Sequence, residues 1–528
     1  MKNFIFVLFL VLSLGIFAQW EKQGIASGVI NDITAFDHSD GTDFIHVGAE
    51  TGIFYHSEMY PDWGDESLGL KDSSLKKICG LLDQNISVHA VLSEDGVYAK
   101  GTGNFVWADE KGLQTGTGQP IGYKNTSGIA LEKENTERYN VYLSLSGYGI
   151  FKRPFCGNSW CSDGNPIFFD DVEGATYWEA SGNPNIWHKD KCKYNSASFS
   201  WKAGADDYPN CYANYPPDNT SYLTMSQYVD LGPPGHGFKL RFWEYLNTEY
   251  YSDPVKIQVQ QYGQSTWEDL AVYYGYSIGN RAFSLEKYSG QIKIRFVFTS
   301  NSFYEYEGWY IDDIEISKDA PWQGLNPQIP NPYVTDLYFY DDGGTKRLYA
   351  TTVNYGGTYF GHIYSFDGYN WTALGDRGVN YLSIDGPKYG TSGKIISGTQ
   401  GNGIYEFNGS NFVPFCSASP PPGDFISVSV DPINPNNGPF SALTPNYFYK
   451  LDPTCSQPYQ QYSYNFKGRA KSTQAFCNGA WEKVFYVGTN GFGLKSLDCK
   501  NPNSKPKPIG NEKPSETSFQ IRSKGVSS

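Results

Sequence analysis

Methionine is nearly absent from this chain, with 3 residues in 528. Charge is scarce too: Asp, Glu, Lys and Arg make up 18% of the sequence, against roughly 25% in ordinary globular chains. That deficit argues against long charged surface helices and coiled coils. No Cys-x-x-Cys pair occurs, so a zinc ribbon or a thioredoxin-like site has no support. No His-Glu-x-x-His occurs among the seven histidines, and no phosphate loop or dinucleotide fingerprint appears. Positive charge is also short. With 41 basic against 55 acidic residues the net charge is −14 and the isoelectric point about 5.0, a field that repels phosphate backbones and argues against nucleic-acid binding.

Long apolar runs are missing beyond the N-terminus. Phe4 to Phe17 is apolar, follows Lys2 and ends at the small residue Ala18. It is too short for a comfortable membrane span, which takes about 20 residues, and reads as a signal peptide over 1–18. The mature protein is expected to be secreted or at the cell surface, the periplasm included, with no transmembrane segment. Nine cysteines fit an oxidising compartment. Cys156 with Cys161, Cys192 with Cys211, Cys416 with Cys455 and Cys477 with Cys499 are natural local pairs that leave Cys79 over. Spacing alone leaves the connectivity open.

What the chain does have is aromatic residues and glycine: 13 Trp, 42 Tyr, 33 Phe and 57 Gly. Such a chain has apolar area enough to fold and the composition of many short strands and turns. One pattern recurs: an apolar strand, a small-residue turn, then Gly and an aromatic-rich strand. Copies run from Phe44 to His56, Val88 to Lys100, Val141 to Lys152, Leu348 to Phe366 and Ile395 to Phe407. Phe440 to Lys450 is a degenerate copy, and Val484 to Lys495 is the last. The turn glycines Gly52, Gly96 and Gly149 are 44 and 53 residues apart, and Gly361 and Gly403 are 42 apart. A period of about 45 is that of a four-stranded propeller blade. Gly149 to Gly361 spans 212 residues, which leaves room for an inserted domain. The expected fold is all-β: a seven-bladed β-propeller with an inserted β-sandwich (jelly-roll) domain. Blades 1–3 are placed over 19–162, the insert over 163–318, blades 4–7 over 325–500 and a disordered tail over 501–528. The N-terminal strand near Trp20 is expected to close the ring on the last blade.

These blades resemble those of sialidase-like and regulator-type seven-bladed propellers over roughly 19–155 and 325–500. Ser365-Phe366-Asp367-Gly368-Tyr369-Asn370-Trp371 resembles the Asp-box of sialidase blades with its second Gly displaced; in that family the box is a structural hairpin and implies no catalysis. The insert resembles the MAM-like jelly roll that accompanies immune inhibitor A-type secreted metallopeptidases. The resemblance rests on Ser200-Trp201-Lys202-Ala203-Gly204, Leu240-Arg241-Phe242-Trp243, Gly290-Gln291-Ile292-Lys293-Ile294-Arg295-Phe296 and Gly308-Trp309-Tyr310-Ile311-Asp312-Asp313. It carries over the accessory domain and not proteolysis. Jelly rolls of this type often hold a structural Ca²⁺, which needs converging hard oxygen ligands. The resemblance implies Asp171, Glu173, Asp253 and Asp313 as that set.

No acid falls in a motif that selects it as a catalyst; Glu50, Glu94 and Asp95 read as soluble turn residues. Binding is therefore the favoured class, with an extracellular glycan or a cell-envelope protein as ligand. Trp178, Trp187, Tyr212, Tyr215, Tyr250 and Tyr251, in loop-like stretches of the insert, are the candidates to stack on sugar rings or anchor a partner. The competing reading is a polysaccharide-active glycoside hydrolase of propeller fold, with the jelly roll as its carbohydrate-binding module.

Overall fold

The structure is a computed structural model. It describes residues 21–22, the strands between 29 and 156, residues 159–387 apart from 175, and the strands with part of their turns between 390 and 498. The expected signal peptide, the Cys477–Cys499 pair, the turn residues Glu94 and Asp95 and the tail from 501 lie outside the described residues. Among those described there is no α-helix, and no helix long and apolar enough to cross a membrane.

The strands form nine antiparallel sheets, seven of four strands and two of six. Each recurrent hairpin of the sequence supplies the two middle strands of a four-stranded sheet, as in Asp43–Ala49 with Gly52–Ser57 and Val484–Thr489 with Leu494–Asp498. The innermost strands are Ile30–Asp37, Leu75–Asp83, Thr126–Lys133, Val334–Asp341, Tyr381–Asp385, Ser427–Ser429 and Ala470–Phe476. Each packs against the next, and the last returns to the first, closing a ring of seven blades. Between blades 2 and 3 the core is made by Val88, Ala90, Leu92, Val141, Leu143 and Leu145, all fully buried. Period-two alternation supplies these side chains to one face of each strand, and full burial of each Val or Leu contributes about 1.5–3 kcal/mol.

The seventh blade takes its outermost strand from the other end of the chain: Glu21 pairs with Ser496 and Lys22 with Lys495. Closing the first strand onto the last blade removes a free sheet edge. The third blade is also composite. Its fourth strand, Gln323–Gly324, pairs with Phe151 and Lys152 and follows the insert in sequence. The insert therefore interrupts blade 3 at its outermost connection, and does not fall between blades 3 and 4. An outer connection lies on the rim, where a whole domain can leave and return without disturbing the ring.

The insert is a β-sandwich. One sheet runs in the order Trp187–Asp190, Ser200–Ala203, Gly308–Lys318, Phe238–Asn247, Tyr276–Ser284, with Phe168–Asp170 pairing the middle strand. The other runs Trp178–Gly182, Thr220–Met225, Gln291–Thr299, Val255–Gln261, Glu268–Tyr273, with Val229–Asp230 added beside Gln291–Thr299. Their inner faces share one core that includes Trp178, Trp187, Phe242, Phe296 and Trp309. Phe296 and Trp309 meet edge to face at 5.5 Å, the geometry that ring quadrupoles favour. Disulfides join Cys156 to Cys161, Cys192 to Cys211 and Cys416 to Cys455, and Cys79 is in no disulfide among the described residues.

Candidate functional site

Alternation along the second sheet decides what the sandwich shows to solvent. In Gln291–Thr299, Ile292, Ile294, Phe296 and Phe298 point into the core, so Lys293, Arg295 and Val297 point out. In Val255–Gln261, Val255, Ile257 and Val259 point in, so Lys256, Gln258 and Gln260 point out. Register then lines up the outward side chains. Glu179 is opposite Thr224, Thr224 opposite Arg295, Arg295 opposite Gln258 and Gln258 opposite Asp269. This is one polar row across all five strands.

The row is wired and flanked by rings. Arg295 Nε donates to Gln258 Oε1 at 2.7 Å, and Gln258 Nε2 donates to Asp269 at 2.6 Å. The guanidinium lies 4.7 Å from the Tyr222 ring centroid and 4.3 Å from that of Trp267, within the reach of a cation–π contact. Burial pushes the Arg295 group below its ordinary value, and it remains a cation. Farther along the same face Lys293 sits 4.9 Å from the Tyr228 ring, which meets Tyr262 edge to face at 5.2 Å. Tyr222, Tyr228 and Trp267 are half-buried and Tyr262 is exposed. The result is a surface of aromatic edges and faces, Tyr222 on a strand and Tyr228, Tyr262 and Trp267 in the connections beside strands, interleaved with planar donors and acceptors.

The aromatic residues singled out from the sequence divide into two groups. Trp178, Trp187 and Tyr215 are 3%, 3% and 1% exposed and belong to the sandwich core. Trp178 Nε1 donates to Asp170 at 2.8 Å, and Tyr215 donates to Asp253 at 2.6 Å. They hold the two sheets together and offer no face to a ligand. Tyr212, Tyr250 and Tyr251 are 87%, 59% and 75% exposed. Tyr250, Tyr251 and Tyr274 form a triangle with ring centroids 4.3–5.3 Å apart. Tyr250 lies over Gly275, whose φ of +95° and lack of a side chain admit the ring. This end of the sandwich also exposes Phe303 and Tyr304.

No three of the four acids expected to hold Ca²⁺ bring ligand atoms within 4.8 Å of one another. Asp253 is fully buried; its Oδ2 accepts from Tyr215 and its Oδ1 from the Asn301 N–H at 2.8 Å. Burial raises the Asp253 carboxyl above its usual value. The others serve as acceptors at turns and loops. Asp171 accepts from the Glu173 N–H, and Glu173 accepts from the N–H groups of Ser198 and Phe199 at 2.7 Å each. Asp313 accepts from Asn195 Nδ2 and Ser196 Oγ, both at 2.6 Å. Neighbouring Asp312 accepts the N–H groups of Asn195 and Ser196. Burial, together with the charge of Asp313, pushes Asp312 up to about 6. Backbone and side-chain donors thus reach each of these carboxylates. Among the described residues, the His, Cys and carboxylate groups that do come within 4.8 Å in a set of three are His188, Asp190 and Asp206.

On the propeller axis the inner strands line a half-open cavity of about 160 Å³. Asp32, Lys77, Asp336, Asp385 and Cys79 line it. Lys77 pairs with Asp336 at 3.2 Å. Burial acts against the Lys77 ammonium, but Asp336 and Asp32 hold it above its ordinary value. Burial pushes Asp32 up to about 6. The acids also stitch blades together: Asp32 accepts the Ile78 N–H and Asp385 the Val430 N–H.

The outward row was not legible in the sequence because its members lie in five separate strands, with Trp267 in a loop, and share no motif. The alternation in Gln291–Thr299 and Val255–Gln261 was the available signal. It marks Arg295 and Gln258 as outward, but only the pairing of strands makes them neighbours.

No protein-family model matches the chain. A 154-residue stretch is 28% identical to bacillopeptidase F of Bacillus subtilis (strain 168), covering 28% of this chain and 10% of that protein. The chain thus spans about a tenth of the length of that curated relative. Among solved structures, the Dos1 propeller aligns at 8% identity with a TM-score of 0.35, covering 90% of this chain and 94% of that one. TmCBM61 in complex with β-1,4-galactotriose aligns at 18% identity with a TM-score of 0.19, covering 27% and 88%. A xylan-binding domain from CBM 22 aligns at 13% identity with a TM-score of 0.21, covering 30% and 97%.

Proposed function

We propose that this chain is an exported, non-catalytic glycan-binding protein in which a β-propeller displays a MAM-like jelly roll, and that the jelly roll reads sugar on the outward face of its second sheet. The observation that carries this reading is the row Glu179–Thr224–Arg295–Gln258–Asp269 with Tyr222 and Trp267 closing on Arg295. A saccharide presents an apolar C–H face and a rim of hydroxyls that both donate and accept. Aromatic rings cover the former, and planar amide, guanidinium and carboxylate groups satisfy the latter in pairs. Strand-borne side chains already fixed by mutual hydrogen bonds lose little freedom on binding. Three disulfides support export to an oxidising compartment.

A glycan array on the full mature chain, followed by calorimetry with the best oligosaccharide, tests it. Arg295→Ala and Trp267→Ala should each weaken binding about tenfold or more, a loss of ~1.4 kcal/mol, with the melting temperature little changed. Tyr212→Ala should bind as the parent does. If no glycan is retained, or both face variants bind normally, the reading falls. A second reading has its own observation, the raised carboxyl of Asp32 on the propeller axis. Release of reducing ends that is abolished by Asp32→Asn would make the protein a hydrolase with the sandwich as its binding module.

A further inference from the structure

On the opposite sheet of the sandwich, His188 and Asp190 lie two residues apart on one strand and share its outward face. Asp206 reaches them from the loop after Ser200–Ala203, and the ligand atoms of all three fall within 4.8 Å of one another. The Cys192–Cys211 disulfide ties this loop to the chain just past Asp190. Asp207 fastens it further by accepting the N–H groups of Tyr212 and Ala213 at 2.7 Å each. The Asp190 side chain is fully buried, and its Oδ2 and His188 Nε2 have no hydrogen-bond partner. Buried polar atoms without a hydrogen bond are disfavoured, and these two face each other at 3.5 Å with Lys202 3.6 Å from Oδ2, so the cluster calls for an occupant.

The hydrogen bond on the other ring nitrogen defines what Nε2 offers. His188 Nδ1 is 3.1 Å from the carbonyl oxygen of Ile186. A carbonyl only accepts, so Nδ1 carries the proton and a neutral ring has its lone pair on Nε2. Nε2 and Asp190 Oδ2 are 3.5 Å apart. A charged N–H···O contact would be about 2.7–2.9 Å. Two ligands each about 2.1 Å from one ion in tetrahedral geometry stand about 3.4 Å apart. Lys202, buried beside the cluster, lies 3.6 Å from Asp190 Oδ2 and 3.2 Å from Asp207. Three carboxylates against this one ammonium leave two negative charges, which a single divalent cation neutralises.

We propose that His188, Asp190 and Asp206 form a site for a first-row divalent transition metal, of which Zn²⁺ is the natural probe. An imidazole nitrogen with two carboxylates suits such an ion rather than Ca²⁺, which takes oxygen ligands. Three protein ligands leave at least one position for water. The bound ion ties the Trp187–Asp190 strand to the disulfide-closed loop. The site is on the other sheet from the proposed glycan face and does not rest on that reading.

The test uses the untagged mature chain stripped with EDTA. Calorimetry should show one Zn²⁺ per chain. At a hundredfold excess over Kd the melting temperature should rise by about 5 °C or more, and Co²⁺ should give a visible ligand-field band. His188→Gln should abolish the band and the thermal shift. Asp206→Asn, at an exposed position, should weaken metal binding at least tenfold while leaving the metal-free melting temperature unchanged. The proposal is overturned if the parent chain takes up neither ion, or if both variants bind Zn²⁺ as the parent does. Glycan binding through the Arg295 face, measured in parallel, should not depend on the metal.

Discussion

Asp312 and Asp313 are adjacent in sequence and differ in environment. Asp312 is fully buried and held up to about 6 by burial and by the charge next to it. Burial also raises Asp170 and Asp253 in the same domain. A carboxyl whose folded value lies above its unfolded value, near 3.8 for Asp312, takes up a proton more readily in the folded state. Its penalty is fully felt above the folded value and disappears as pH falls toward the unfolded one. The sandwich should therefore gain stability between pH 7 and pH 5, by on the order of 1 kcal/mol, seen as a rise in its melting temperature. Asp313→Asn removes the like charge and should shrink that rise. A melting temperature that falls over this range would contradict the assignment. The aromatic residues teach the same lesson. Trp178 and Tyr250 are alike in sequence terms, yet one fills the core and the other covers a glycine at the surface.

At the level of strands, two devices recur around the ring. Six of the seven innermost strands carry a register shift near their start, between Ile30 and Asp32, Leu75 and Lys77, Thr126 and Gly128, Val334 and Asp336, Tyr381 and Ser383, and Ala470 and Ser472. Such bulges increase local twist and let each inner strand turn toward the axis. In blade 1 the residue just past the bulge, Asp32, accepts the Ile78 N–H of blade 2. In blade 3 it is Gly128, where a Cβ would stand 2.7 Å from the Leu337 backbone nitrogen. Gly128→Ala should force blades 3 and 4 apart and destabilise the propeller by about 2 kcal/mol, measured by denaturant unfolding; an unchanged midpoint would show that the blades can slide. The second device is the outer hairpin. Asp367 accepts the N–H groups of Tyr369 and Asn370, and Asn408 accepts those of Ser410 and Asn411. The segment that resembles an Asp-box is thus a turn stabilised by its own acid, and blade 5 builds the same turn with Asn.

In the whole molecule, one carboxylate joins the two domains. Asp319 lies within 3.3 Å of Arg153 on blade 3 and 2.6 Å of Lys239 on the sandwich, and pairs with Arg241 as well. Arg241 also donates to the Trp160 carbonyl at 2.5 Å, and Arg153 stacks 4.5 Å from the Trp160 ring. Burial and the proximity of Arg241 outweigh Asp319 at Arg153 and lower that guanidinium to about 9. At Asp319 burial favours the neutral form, but Lys239, Arg241 and Arg153 hold its value below 3.8. Its contribution is therefore complete above pH 3.8 and lost as pH falls through the lower folded value. Asp319→Asn takes one shared counter-charge from Arg153, Lys239 and Arg241, leaving Arg241 the longer contact to Glu315 at 3.8 Å, and should cost about 3 kcal/mol. It should also let the sandwich and propeller melt separately in calorimetry. A single transition at the parent temperature would show that the disulfide-closed Cys156–Cys161 turn fixes the junction alone.

The sequence by itself determined the all-β class, the number of repeated hairpins and the presence of a foreign segment between Gly149 and Gly361, and it offered as natural neighbours the three cysteine pairs that the structure joins. These are local quantities, carried by period-two alternation, by turn glycines and by short separations along the chain. Tertiary structure alone decided that the insert splits blade 3, that three of the six candidate aromatics are core, and that Arg295, Gln258 and Asp269 form one row. Each of those depends on which strand lies beside which. Strand order and register are set by burying two inner faces against each other across segments tens of residues apart, and no local pattern encodes that pairing.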